Sequence, residues 1–179
     1  MNAKRTIRKW ELVGIAIIAS LGAMFHFIFE WSGELLPIGA IAPVNESVFE
    51  HLKMPYWPAL FYAAIEYRRI RGYTKNFMIA KTSSLYVMPL TTMAIFYAYT
   101  TITGTESLIA DIMIFIGAVA LGQFTSYKIM SKEPLPSALY KAAIAGLISL
   151  GIIYAVFTFY TPHLPMFLDP ATGTYGIHS

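Results

Sequence analysis

Five long apolar stretches limit what this chain can fold into more than any other feature of its sequence. They cover approximately residues 12–29, 47–69, 77–101, 107–129 and 137–160. An α-helix needs roughly 20 mainly apolar residues to cross the hydrocarbon core of a bilayer, and each stretch is close to that length or longer. The sequence therefore predicts an all-α integral membrane protein with five transmembrane helices, which form a single domain over residues 1–179 embedded in the lipid bilayer.

Composition supports this class and excludes others. Hydrophobic residues make up 56% of the 179 residues, and charged residues make up only 13%. A soluble domain carries about 25% charged residues. The composition thus excludes a soluble enzyme and a disordered tail, and no nucleic acid is expected as a partner despite the net charge of +3. The chain has no cysteine, which excludes disulfides, thiolate catalysis and soft-metal sites.

The first apolar stretch also resembles a secretory signal, because four basic residues between positions 4 and 9 precede it. Residues 19–23 would be a passable cleavage region. The apolar run continues past Ala23 to Phe29, so we interpret the stretch as an uncleaved transmembrane helix.

Lysine and arginine are concentrated on one predicted side of the membrane. Twelve of the thirteen lie before the first stretch or around the second and fourth connections, and only Lys53 lies on the other side. Because cytoplasmic loops carry an excess of these residues, the pattern predicts a cytoplasmic N-terminus and an extracytoplasmic C-terminus. We expect the protein in the cell membrane.

Acidic residues and histidines show the opposite asymmetry. Seven of the ten acidic residues and all four histidines fall at or near the predicted outer face; these are Glu30, Glu34, Glu46, Glu50, Glu106, Asp111, Asp169, His26, His51, His163 and His178. The rule that sets orientation does not require this arrangement, so a functional site facing the extracytoplasmic side is expected there.

Two further segments predict a cover over this site. Residues 35–44 are apolar, too short to span and interrupted by proline and glycine, which is typical of a re-entrant or interfacial loop buried in protein. The tail after Tyr160 has no lysine or arginine and carries several large apolar residues, so we expect it to fold back. Together the loop and the docked tail are predicted to form an outer cap.

Imidazole and carboxylate groups are ligands that suit zinc, manganese or iron. The predicted metal ligands are accordingly His26, Glu30, His51, His163 and Asp169, and a divalent metal such as zinc is the expected cofactor. His26 and Glu30 are four residues apart and share a helix face. Glu46 and Glu50 are the predicted catalytic residues, because a spare glutamate can act as general base on a metal-bound water.

Structural interpretations of the same residues remain open. His26 and Glu30 could form an interhelical hydrogen bond, Asp169 could cap a turn, and Ser47 with Glu50 fits a helix capping box. If a helix continues through residues 46–51, Glu46 and Glu50 share a face and His51 points away from both. Glu66 is predicted to pair with Arg69, three residues further along the helix.

The leading functional hypothesis is a metal-dependent, outward-facing membrane enzyme of hydrolase type, with the choice between a small-molecule and a lipid substrate left open. A small-solute transporter or channel is one alternative, favoured by proline-interrupted helices and a re-entrant loop. A non-catalytic accessory or assembly subunit of a membrane complex is the other, favoured if the polar groups satisfy one another.

Three segments, residues 26–33, 42–53 and 162–176, resemble a family of small prokaryotic multi-pass membrane proteins classed only as a domain of unknown function. The resemblance extends over nearly the whole chain. It implies an integral membrane fold, and it implies no activity, substrate or site residue.

Overall fold

The computed structural model describes residues 2–177. This part of the chain is helical, and its only β-structure is a single bridge between Leu168 and Tyr175. His178, one of the four histidines predicted at the outer face, lies outside the described residues. The helices are α1 (Ala3–Trp31), α2 (Leu36–Gly39), α3 (Val48–His51), α4 (Lys53–Ile70), α5 (Phe77–Thr103), α6 (Leu108–Met130) and α7 (Ser137–Phe159), followed by a 3₁₀ turn at Pro165–Phe167.

Four of these helices, α1, α5, α6 and α7, are long and apolar enough to cross a membrane. They coincide with four of the five predicted stretches, except that α1 begins earlier, where the Asn2 side chain accepts a hydrogen bond from the Lys4 backbone N–H and caps the helix. Helix α4 has 18 residues and contains four charged side chains, at positions 53, 66, 68 and 69. The structure thus shows four membrane-type helices, and the fifth crossing remains a prediction.

Helices α4 and α6 both pack against α1 and run antiparallel to it. Along α1 and α6, Glu11 bonds to Ser126 and Gly22 lies against Phe115. Along α1 and α4, Gly22 lies against Met54, while Ile7 and Ile70 share one apolar cluster at the other end. Glycine at position 22 allows this approach, because a Cβ there would lie 2.5 Å from the Phe115 ring.

The remaining helices continue the alternation. The Tyr99 hydroxyl of α5 donates to Asp111 of α6 at 2.6 Å, which fixes the antiparallel hairpin between them. In α7, the carbonyls of Ala143 and Gly146 accept hydrogen bonds from Thr82 and Tyr86 of α5, so these two helices are parallel. Successive long helices therefore run in alternate directions.

This alternation gives the bundle two distinct ends. The basic end contains the first turns of α1, α5 and α7 and the last turns of α4 and α6, and it collects the twelve basic residues that the sequence predicts on one side. The loop end contains residues 32–52 and the tail after Tyr160. An apolar core that includes Ile18, Met88 and Val119 fills the space between the two ends.

At the loop end, the tail packs on the segment that precedes α4. Phe167 is buried against Phe49, with ring centroids 4.5 Å apart. The Asn45 side chain donates a hydrogen bond to the Gly176 carbonyl at 2.9 Å, and Ile177 packs on a small cluster beneath residues 38–44. These are contacts that the predicted cap requires, while its position at an outer membrane surface stays a prediction.

Candidate metal site

Three of the predicted site residues, His26, Glu46 and His51, come together at the loop end and are called the triad below. One ligand atom from each lies within 4.8 Å of the other two. The Glu46 carboxylate is 3.5 Å from His26 Nε2 and 3.4 Å from His51 Nε2. The two imidazole rings are stacked with centroids 5.1 Å apart. Two imidazoles and one carboxylate thus face a common point.

The position of Glu46 depends on where α3 begins. Ser47 is the N-cap of α3, and its Oγ accepts a hydrogen bond from the Glu50 backbone N–H at 3.4 Å. The Asn45 side chain accepts from the Ser47 backbone N–H and holds the turn before the helix. Glu46 therefore precedes the helix and folds over His51. The geometry expected for a continuous helix over residues 46–51, in which His51 points away from Glu46, does not occur because no helix is formed at residue 46.

A backbone contact sets the orientation of the His51 ring. Its Nδ1 lies 2.9 Å from the Ser47 carbonyl oxygen. Since a carbonyl oxygen only accepts hydrogen bonds, Nδ1 carries the proton. Nε2 therefore faces Glu46 and His26: when protonated it donates to Glu46, and when deprotonated it offers its lone pair. Metal-binding histidines almost always donate their second ring N–H to a carbonyl or carboxylate in this way.

The electrostatic field of the triad favours a cation. The hydrogen bond from His51 is the main cause that lowers the pKa of Glu46 below its ordinary value. Burial by itself lowers the pKa of His51, but the bonds to Glu46 and to the Ser47 carbonyl, with the negative charges of Glu46 and Glu50, raise it overall. Glu46 stabilises a proton on the His51 ring, and a metal ion bound between the two groups can replace that proton.

One side of the triad is open to solvent. The Glu46 side chain is 52% exposed, compared with 25% for His26 and 33% for His51. His26 Nδ1 is buried and has no hydrogen-bond partner among residues 2–177. Three protein ligands with an accessible fourth position are typical of catalytic rather than structural zinc sites.

The structure does not bring the other predicted ligands into the triad. Glu30 is exposed on α1, one turn beyond His26. His163 is exposed, and its ring lies 4.6 Å from the Tyr175 ring. Asp169 is buried, and its carboxylate accepts from the Ala171 backbone N–H and the Thr172 hydroxyl at 2.9 and 2.7 Å. Asp169 thus holds the turn of the tail, which was the structural alternative.

Glu50 belongs to a separate buried group, called the Glu50 network. Its carboxylate lies 2.5 Å from Lys53 Nζ and accepts hydrogen bonds from the Val44 backbone N–H and the Thr158 hydroxyl at 3.0 and 2.8 Å. Lys53 also donates to the Gly39 carbonyl at 2.8 Å. The network ties the loop to α4 and α7. Only the Ser47 half of the predicted capping box is present, because the Glu50 carboxylate is engaged here.

A second buried charge group, the Lys81 cluster, lies at the basic end. Lys81 Nζ is 2.8 Å from Glu11 Oε1 and 2.5 Å from Glu66 Oε2, and the Ser126 hydroxyl donates to Glu11 at 2.6 Å. Glu66 is fully buried and forms an ion pair with Lys81, so the predicted pair with Arg69 is wrong. Sequence reasoning missed this cluster, although charges inside otherwise apolar helices were the available signal.

The fold and the site define a class of helical protein with membrane-type helices and a His/Glu/His group at one end of the bundle. The chain belongs to a family of unknown function, DUF6512, whose sequence profile matches residues 1–177. Comparison with curated proteins and with solved structures gave no match.

Proposed function

We propose that the protein crosses the cell membrane five times, with its N-terminus in the cytoplasm, and binds a divalent metal ion at the outward-facing triad. Zinc is the metal that we favour. The bound ion would be the centre of a metal-dependent enzyme of hydrolase type. The observation that carries this proposal is the convergence of His26, Glu46 and His51, with Nε2 of His51 directed at the common point.

The register of α4 supports a fifth crossing. From Met54 to Ile70, α4 lies alongside α1, a distance of about 24 Å at 1.5 Å per residue. That is most of the roughly 30 Å hydrocarbon core. The two charges of α4 that would lie within the bundle, Lys53 and Glu66, are buried and paired. Its two arginines lie at the basic end, where the positive-inside rule places the cytoplasm.

The donor set supports zinc. Two histidines and one glutamate are the ligands of one established class of catalytic zinc site. The same donors also suit iron(II) and manganese, so metal analysis of the purified protein decides among them. When bound in such a site, zinc lowers the pKa of a coordinated water to about 7 and makes it a nucleophile.

Glu30 is the carboxylate best placed to act as general base in this proposal. It is exposed and lies one turn from His26, and it forms no ion pair with any residue between positions 2 and 177. Glu50 is less suited, because Lys53, Val44 and Thr158 already engage its oxygens. Glu46 would serve as a ligand.

Two observations favour this function over the alternatives. The apolar core around Ile18, Met88 and Val119 separates the triad from the Lys81 cluster, whereas a transporter would need a polar path between them. A purely structural polar cluster would bury its polar groups, whereas the Glu46 side chain is 52% exposed and leaves the triad accessible from solvent.

The direct test is the metal content of the protein purified from membranes, measured by inductively coupled plasma mass spectrometry. We expect about one zinc ion per chain in the wild type and less than about one tenth of that in H26A, E46Q and H51A. H163A is the matched control, because His163 lies outside the triad, and it should retain the metal. No metal in any preparation, with normal folding of all variants, would overturn the proposal.

The enzymatic part has its own test. Hydrolysis of 4-nitrophenyl acetate, a generic ester probe, is compared for zinc-loaded and chelator-treated protein and for E30Q. Loss of a general base typically costs about 10²-fold or more, so E30Q should retain zinc and lose most of the rate. Equal rates with and without zinc would contradict an enzymatic role and leave metal binding intact.

A further inference from the structure

An open groove lies between α4, α5 and α7 at the basic end, far from the triad. Its volume is about 650 Å³, within the range of roughly 300–1,000 Å³ that small-molecule sites occupy. Its walls are mainly apolar and include Leu60 and Ala64 of α4, Leu85 of α5 and Leu147 of α7.

The length of the groove matches one leaflet of a bilayer. Along α4 it extends from Ala59 to Arg71, which is about 18 Å at 1.5 Å per residue. Half of the hydrocarbon core is about 15 Å. A single acyl chain that enters at the basic end would therefore fill the groove without passing the middle of the membrane.

The mouth of the groove carries positive charge. Arg71 and Lys75 line it together with Thr74, and both basic side chains are exposed. Within residues 2–177 neither of them forms an ion pair. Part-way along the groove, Lys81 also lines the wall, but it is already ion-paired with Glu11 and Glu66. The unneutralised positive charge thus lies at the mouth alone, where a headgroup would be.

We propose that this groove binds an anionic phospholipid. The phosphate lies between Arg71 and Lys75 with Thr74 as a hydrogen-bond donor, and one acyl chain lies along α4 against Leu85 and Leu147. Basic pockets between transmembrane helices are a recognised mode of anionic lipid binding, and each nearby cation contributes roughly fivefold in affinity. The proposal rests on the proposed membrane crossing of α4 and is independent of the metal site, which lies at the opposite end of the bundle.

The test uses the full chain reconstituted in phosphatidylcholine vesicles, with spin-labelled phosphatidylglycerol or phosphatidylcholine as the probe. Electron paramagnetic resonance measures the fraction of each probe that the protein immobilises. We expect at least a fivefold preference for phosphatidylglycerol in the wild type. The double variant R71Q/K75Q should abolish the preference, and K128Q, which removes an exposed lysine of α6 outside the groove, should leave it unchanged.

A second pair of variants tests whether the groove itself is involved. A64W fills the groove and leaves its charges in place, so it should remove the immobilised phosphatidylglycerol. A98W adds the same side chain at an exposed position of α5 outside the groove and should have no effect. Circular dichroism checks that each variant is folded.

Three outcomes would overturn the proposal. Equal immobilisation of the two lipids would exclude selective binding. A preference that R71Q/K75Q removes and A64W does not would indicate surface charge rather than a groove. If folded A64W immobilises as much phosphatidylglycerol as A98W, and cross-linking joins two chains across the groove, a second copy of the chain occupies the groove.

Discussion

His51 Nδ1 lies 2.9 Å from the carbonyl oxygen of Ser47, and this contact directs Nε2 of the ring toward Glu46 and His26. Ser47 is also the N-cap of α3. One residue therefore both begins the helix that carries His51 and fixes the protonation pattern of its ring. The metal-binding proposal depends on this local geometry more than on any long-range contact.

Zinc affinity should fall as the pH falls. A metal ion must displace the proton from His51 Nε2, and Glu46 stabilises that proton because it helps to raise the pKa of His51. Affinity should begin to fall as the pH drops below the raised pKa of His51, and it should then fall roughly tenfold per pH unit for each imidazole that must lose a proton. Competition titration with a chromophoric chelator between pH 8 and pH 5.5 measures this. An affinity that does not change over this range would exclude the histidines as ligands.

Loss of the Thr158 hydroxyl should weaken the loop end. T158V removes a hydrogen bond to the buried Glu50 carboxylate and a bond from Lys53, so we expect a loss of about 1–3 kcal/mol in the free energy of unfolding. T125V is the matched control, since Thr125 bonds only to a carbonyl of its own helix. Denaturant unfolding in detergent compares the two. Equal stabilities would show that the Glu50 network contributes little.

The Lys81 cluster should be much more sensitive to loss of its cation than to loss of one carboxylate. K81M leaves Glu11 and Glu66 buried without a counter-charge, which typically costs about 3–5 kcal/mol. E66Q should cost less, because two carboxylates share one ammonium group and removal of one charge leaves a balanced pair. Thermal unfolding in detergent ranks the variants, with K128M as the exposed control. An E66Q variant less stable than K81M would contradict this assignment of charges.

The sequence predicted most of the helices because their apolar stretches are long and end in clear breaks. Residues 77–101, 107–129 and 137–160 correspond to α5, α6 and α7 within two residues at each end. Helix α4 was less predictable, since its charged residues reduce its apolar character and the sequence does not reveal that Glu66 pairs with Lys81 of α5 and Lys53 with Glu50 and Thr158.

The site was predicted in part. His26 and His51 were predicted as metal ligands from their residue type and position, whereas Glu46 and Glu50 were both predicted as catalytic residues. Which glutamate meets the histidines depends on whether the helix begins before or after Ser47. Lys53 is only three residues from Glu50, but Thr158 is 108 residues away, and no local pattern reveals a contact of that kind.

The proposed topology can be mapped with single cysteines, because the chain contains none. If α4 crosses the membrane, L35C and G72C should lie on opposite sides, and T105C should be on the same side as L35C. A membrane-impermeant maleimide applied to intact cells should therefore label L35C and T105C and not G72C. Labelling of G72C together with L35C would show that α4 does not cross.

The most direct test of the central claim is X-ray absorption spectroscopy at the zinc edge, applied to the zinc-loaded protein and to H51A. Two imidazole nitrogens at about 2.0–2.1 Å and carboxylate oxygen at about 2.0–2.2 Å are expected in the wild type. In H51A one imidazole contribution should be lost. A spectrum that lacks imidazole scattering, or one that H51A leaves unchanged, would contradict metal binding at His26, Glu46 and His51.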